Sequence, residues 1–505
     1  MHNRLQKRLI ALVLAAVATL PALAQQLTVA HGVDIPGFDP HTHSNTAVES
    51  VHINVFDYLV MRDASGQFQP ALAVSWEQQD DTVWHFSLRD DVTWHDGTPF
   101  TAADVEFTLE RVAGDSALVQ HQNYRGIVDV EVLSDFELLI HTSQADPILL
   151  NRLSRITAGM LPKHYIDEVG FEHFAANPLG TGPFEFVEWR RDDRIILQAN
   201  EDHWRGAPAW EALVFRVIPE DSTRVNELIT GGVDIAVNIP AHEVERVDAT
   251  GEAVVLPWPT GRVMMFFVNT EDGLPTADPR VREALDLAID NALLAEVLTA
   301  GAGVPVRGYL TPNDSAVPLD LYDTYVYDPV RARELIAEAG YAPGELTITI
   351  QGPAGRYPMD VELVELVAAM LAESGISAKV ESTEFSVFNS QVWEAQNLAG
   401  IALMGLSNSM QDGWFAARLL LCEGPYANVT NWCNPEFDAL VNEAEYLMDS
   451  ERRAELLGEA FHIIAEERPQ IFLYQLSNFV GVASDVDWQP RSDELLWMLD
   501  ATPRD

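Results

Sequence analysis

Several places in the chain carry residue types that make or break bonds in other proteins, and each lacks a partner that the chemistry needs. Gly114-Asp115-Ser116-Ala117-Leu118 sets a serine among small residues, but it lies beside a helical stretch, with no strand leading into a sharp turn. His242-Glu243 opens like a zinc-protease helix, yet no histidine follows at the required spacing. Gly301-Ala302-Gly303 lacks the third glycine of a dinucleotide fingerprint. His41, His43, His85 and His95 carry nitrogens suited to metals, but lone histidines at such spacings usually pack or face solvent. With 77 Asp and Glu, pairs of carboxylates single out no general acid and base. These readings leave the chain without catalytic residues, metal ligands or a cofactor. A secreted hydrolase, peptidase or esterase, remains the alternative, and it would need a nucleophile–base–orienter set.

The elements that would hold any site read clearly. Residues 26–31 form a strand that ends in a Gly/Pro-rich loop reaching Asp39-Pro40. Residues 83–88 alternate, with Trp84, Phe86 and Leu88 on one face. Residues 127–142 read as a hairpin turning at Ser134-Asp135. Asp278-Pro279, Asp328-Pro329 and Asn434-Pro435 each place a cap before a proline at the first helical position. Behind the third lie Phe437, Leu440, Val441, Ala444 and Met448 on one stripe, and residues 360–374 form a further amphipathic helix. Short strands at 346–350 and 378–382 alternate with these helices, which predicts an α/β second half behind a strand-richer first half.

Arg4, Lys7 and Arg8, an apolar run over residues 9–20 and Ala22-Leu23-Ala24 make a signal peptide over residues 1–24, with the mature chain starting at Gln25. Export favours a disulfide between the two cysteines, Cys422 and Cys433. The formal charge is -46, with Lys7, Lys163 and Lys379 the only lysines. Such a surface repels nucleic acid and anionic lipid. It fits a saline habitat, where salt screens dense carboxylates, or selection of a cationic ligand.

One stretch is more specific. Ala71-Leu72-Ala73-Val74-Ser75-Trp76, Trp84-His85-Phe86-Ser87-Leu88-Arg89, Val92-Thr93-Trp94-His95-Asp96-Gly97 and Pro99-Phe100-Thr101-Ala102-Ala103-Asp104-Val105 follow in order. They resemble the signature of the family 5 extracellular solute-binding proteins, which serve dipeptide, oligopeptide, glutathione and nickel importers. Further similar segments are Gly180-Thr181-Gly182-Pro183-Phe184, Asn200 to Gly206, Leu228 to Ile235, Phe266 to Thr270 and Pro279 to Leu285, and the cysteines sit where many dipeptide-binding relatives carry a disulfide.

The resemblance implies a type II periplasmic-binding fold in its large three-domain form, two lobes joined by two hinge strands. Its divisions would be residues 25–268 for the first lobe, 269–475 for the second and 476–505 for the return. It also implies a periplasmic monomer that closes on a peptide or similar small polar solute and delivers it to an ABC permease; opines, glutathione-like compounds and metal chelates are the non-peptide alternatives. The loop Met404 to Trp414 is where relatives hold a peptide amine with an aspartate. Here Ser409 takes that place, beside Asn408, and Asp412 falls where relatives have a different aspartate. Arg356 falls near the position that holds a ligand carboxylate, which a guanidinium grips with two bonds. Trp414 is expected to stack on the ligand or cover the cleft, and Ser44 and Asn45 to approach it from the first lobe.

Overall fold

The structure, a computed structural model, describes residues 25–63, 66–314 and 319–504. The expected signal peptide, residues 1–24, lies outside the described residues. A large sheet carries the fold, in the order Ser377–Glu384, Thr347–Ala354, Ile401–Ser407, Ala253–Val268, Gln470–Ala483, Ile235–Val237, Gln26–His31, Ala212–Val217, Arg194–Ala199 and Phe184–Arg190.

Ala253–Val268 and Gln470–Ala483 are long strands that run together through both halves of this sheet. One stretch of the pair, Ala253 to Pro259 against Ser477 to Ala483, borders Ile235–Val237 of the first lobe. The other, Val263 to Phe267 against Gln470 to Gln475, borders Ile401–Ser407 of the second. The register breaks between Pro259 and Val263, so the two strands form the hinge. The sheet changes neighbours there, and inside a continuous apolar run nothing in the sequence marks the crossing. We propose a division of the lobes near residues 260 and 476.

In the second lobe both faces of the first hinge strand are covered. Met264, Phe266 and Val268 join one apolar core, and Val263, Met265 and Phe267 join another. A strand buried on both faces reads as an unbroken apolar run, as this one does. In the first lobe Leu27, Val29, Phe184, Leu213 and Val480 share a core. A third body has its own core beneath an antiparallel sheet of Ala73–Asp80, Val83–Leu88, Glu137–Thr142 and Ile127–Ser134. Trp84, Phe86 and Leu88 are buried there, as their alternation predicts.

The Asp-Pro and Asn-Pro starts cap as expected. Asp278 accepts from the Arg280 amide, Asp328 from those of Val330 and Arg331, and Asn434 from those of Glu436 and Phe437. The third helix, Pro435–Ala444, ends before Met448, which therefore lies outside its stripe. Residues 360–374 form the helix Asp360–Glu373. Lys163, at the start of Lys163–Val169, and Lys379, on Ser377–Glu384, are exposed and pair with Asp167 and Glu381. No described helix is long and apolar enough to cross a membrane.

The signature residues join the third body to the first lobe. His95 accepts the Gly180 amide at Nδ1 (3.3 Å) and donates from Nε2 to the Gly182 carbonyl (3.0 Å). Thr101 and Asp104 form a capping box, and Asp104 also accepts from the Lys163 amide. Cys422 and Cys433 are joined by a disulfide. Closing a loop of this length removes about 3 kcal/mol of disorder from the unfolded chain. Cys422→Ser is expected to lower stability by about that amount. Thermal melts of the oxidised protein with parallel ligand titrations check it, the affinity staying close to wild type.

Candidate functional site

The lobes meet around a cavity of about 240 Å³. The second lobe contributes Thr311, Asn313, Asp314 and the loop around Asn408 and Ser409; the first contributes Ser44, Arg62, Arg155 and Glu494; the hinge contributes Gly261 and Arg262. Contact between the lobes is direct. The Asn151 amide donates to the carbonyls of Met410 (2.8 Å) and Gln411 (3.1 Å), Arg155 Nε to that of Ser409 (3.3 Å), and Asn313 to that of Ser492 (2.6 Å).

The loop from the second lobe is held from within. Asn408 Nδ2 donates to the Asp412 carbonyl and to Asp314 Oδ1 (2.6 Å). The buried Asp412 carboxylate caps Gly413–Ala417 through the Trp414 and Phe415 amides and pairs with both terminal nitrogens of Arg453 (2.6 and 2.7 Å). Asp412 is thus turned into the lobe, while Asn408 and Ser409 line the chamber.

Burial governs the charges. It pushes the Asp314 carboxyl up to about 6, against donation from the Thr311 amide and hydroxyl and from Asn408. It lowers the Arg62 guanidinium to about 10 and also lowers Arg155. Among the described residues Arg62 Nη2, a donor, and Asn408 Oδ1, an acceptor, are buried without a hydrogen-bond partner. Unpaired buried groups cost about 1–3 kcal/mol each, so both call for a partner.

A larger chamber of about 1100 Å³ adjoins, sharing Arg262 and Glu494. Arg356 lines it from an ordered loop, in which Asp360 accepts the amides of Gly355, Arg356 and Tyr357. Gly355 has φ +82°, a conformation that glycine adopts without strain. The Arg356 guanidinium lies over Phe385 and Tyr357, 5.1 and 5.2 Å from the ring centres, and the side chain is exposed. The structure thus gathers Ser44, Asn408 and Ser409 in one chamber and Arg356 in the next. Trp414 lines a separate cavity of about 740 Å³ with Arg152 and Arg418. Asn45 is the exposed cap of Thr46–His52, accepting from the Ala47 amide.

Residues 67–427 match the model of the bacterial extracellular solute-binding proteins, family 5, middle region. The chain belongs to this family. Heme-binding protein A of Haemophilus influenzae is 28% identical over 488 residues, covering 90% of this chain and 86% of that protein. Glutathione-binding protein GsiB of Shigella dysenteriae is 25% identical over 470 residues, 91% of each chain. The crystal structure of the ABC transporter substrate-binding protein CtaP from Listeria monocytogenes superposes with a TM-score of 0.84 at 20% identity, covering 95% of this chain and all of that one. The fold is the type II periplasmic-binding fold, and the protein is the solute-binding component of an ABC importer. The secreted-hydrolase alternative loses its support.

For a family 5 protein the chambers between the lobes are where a solute would be enclosed. Arg62, Arg155, Arg262, Asp314 and Glu494 surround that space, and none was singled out from the sequence. The one cluster among the described residues that could hold a metal, His43, Glu49 and His52, is buried next to Ser44 in the chain. His43 Nδ1 accepts the Asn45 amide, so its Nε2 carries the proton, facing His52 Nδ1 (3.3 Å) and Glu49 (3.4 Å); His52 Nε2 donates to the Gly37 carbonyl. Burial lowers His43 and His52 to about 4 and about 3, keeping both neutral, and raises Glu49 to about 7, where it accepts from the Tyr58 hydroxyl. With these protons in place His43 donates to His52, while Glu49 Oε2 beside them has no hydrogen-bond partner among the described residues.

Proposed function

We propose that this protein works in the periplasm and captures a small, charged, peptide-like solute between its lobes, Ser44, Asn408, Ser409 and Arg356 being among the contacts. The observation that carries this reading is a polar chamber lined by Arg62, Arg155, Arg262, Asn408 and Ser409 and bridged by lobe-to-lobe hydrogen bonds. A solute carrying a carboxylate and an N–H or hydroxyl group matches that lining. The names of the relatives cover heme and glutathione; the small charged chamber favours the glutathione-like end of that range. Closure couples occupancy to one shape of the protein, because a ligand shifts an equilibrium only by its differential affinity for the two states. We further propose that residues 1–24 direct export and are removed, the exported chain then having the mass of one beginning at Gln25.

Native mass spectrometry of protein taken gently from its own periplasm, repeated after denaturation, tests the reading together with calorimetric titration of glutathione and short peptides. Release or binding of one such molecule per chain is expected. A chain that releases nothing and binds none of them overturns the peptide-like assignment. Arg356→Ala is expected to weaken binding about 10-fold or more, the loss of a charge-assisted hydrogen bond worth about 1.5–3 kcal/mol. An unchanged dissociation constant in the same titration removes Arg356 from the contacts.

A further inference from the structure

The carboxylates that line the two chambers are nearly all committed to protein donors. Asp314 takes the Thr311 amide and hydroxyl on Oδ2 and Asn408 on Oδ1. Asp493 is held by Arg491 and by the Leu495 amide. Asp221, in the larger chamber, pairs with Arg224. Glu494 differs. Its Oε1 accepts the Gly261 amide (2.8 Å), and no hydrogen bond among the described residues reaches Oε2.

Glu494 also has an uncommon place. It lines the small chamber, the large chamber and a third cavity of about 120 Å³, so it stands where the three meet. Its backbone is left-handed, φ +63°, a conformation that costs a residue with a Cβ about 1–2 kcal/mol. The Glu494 amide donates to the Arg491 carbonyl, and its own carbonyl accepts from the Ser50 hydroxyl, which holds the turn in place. Arg262 of the hinge lines the same two chambers, and Arg356 lies further along the larger one.

We infer that Glu494 is a specificity-determining residue that receives a positively charged amine of the bound solute, in the role that Ser409 has no charge to fill. This rests on the reading of the chambers as the solute site. A carboxylate removed from water gains most from a cation that donates directly to it, since charge-assisted hydrogen bonds are about twice as strong as neutral ones. The ammonium of a free amino terminus, or of an α-amino acid head, has that chemistry. Arg262 and Arg356 supply the complementary charge for the carboxylate of the same solute. The Gly261 bond ties this anchor to the register break of the hinge, so an amine seated on Glu494 bears on the segment that moves when the lobes close.

The experiment is calorimetric titration of wild type, Glu494→Gln and Glu494→Asp with glutathione, Met-Leu and Ser-Thr-Ser-Ala, each as the free amine and as its N-acetylated form. The amide of Glu494→Gln still accepts from Gly261, and thermal melts of both variants check their folding. Wild type is expected to prefer the free amine of the solute it binds about 10-fold or more. Glu494→Gln is expected to abolish that preference by weakening the free amine alone, and Glu494→Asp to retain part of it. Wild type binding both forms equally, or Glu494→Gln keeping the preference, overturns the role of Glu494 and leaves the import reading intact. Wild type binding none of the six overturns the peptide-like assignment together with the role of Glu494.

Discussion

Arg453→Ala is expected to destabilise the protein by about 3–5 kcal/mol, the range for removing one partner of a buried ion pair. Arg453 and Asp412 are 3% and 1% exposed, so alanine leaves the Asp412 carboxylate in a site that water does not reach. Arg453 Nε also satisfies the Ala444 carbonyl at the end of Pro435–Ala444, which loses its donor as well. The damage reaches the chamber between the lobes, because the same carboxylate caps the helix after the Asn408–Ser409 loop. Urea unfolding measures the first effect and ligand titration the second. Replacing both partners, Asp412→Leu with Arg453→Met, is expected to recover much of the stability, leaving a deficit of about 1 kcal/mol for the lost cap. A single Arg453→Ala that unfolds within 1 kcal/mol of wild type would show that the pair is not a determinant of stability.

Gly180→Ala is the second large effect. A Cβ at residue 180 would lie 1.8 Å from the Val55 carbonyl oxygen and 2.7 Å from its carbon, a collision with backbone that no rotamer relieves. A Cβ at Gly182 would also fall on Val55, 2.6 Å from its carbonyl carbon, and the Gly182 amide donates to the same oxygen at 2.9 Å. Relief requires the segment to move off Val55, which breaks that bond and both hydrogen bonds of the His95 ring. Overpacking costs about 1–3 kcal/mol where neighbours can shift, and backbone shifts least, so a loss of about 3 kcal/mol is expected. Thermal unfolding checks it. Gly114→Ala, where an added Cβ meets nothing within 4 Å, serves as the control, with no comparable loss expected.

Much of the architecture was legible because its signals are local. The alternation at 83–88, the three capped Pro-initiated helices and the paired cysteines each act within a few residues, and the family motifs follow in order along the chain. Met448 failed because the apolar stripe continues past the residue where the helix ends. The site was legible only in part. Ser44, Asn408, Ser409 and Arg356 lie in the chambers, but in sequence Asp412 looks like any other loop acid, and its buried partner is 41 residues away. Arg62, Arg155, Arg262, Asp314 and Glu494 come from five separate segments, and only the assembled lobes bring them around one space. Nor does any residue type announce that the backbone at Glu494 turns left-handed. Arginines beside apolar stretches, in a chain this poor in cations, were the one available signal.

The scarcity of lysine has a practical side. Once residues 1–24 are set aside, the side-chain amines are Lys163 in the first half of the chain and Lys379 in the second, each on the surface, one on a helix and the other on the outermost strand of the large sheet. Nature has in effect placed one attachment point on each jaw. An amine-directed spin label or fluorophore pair, with the terminal amine blocked, would report jaw separation in the unmutated protein and record directly how far it closes on a solute.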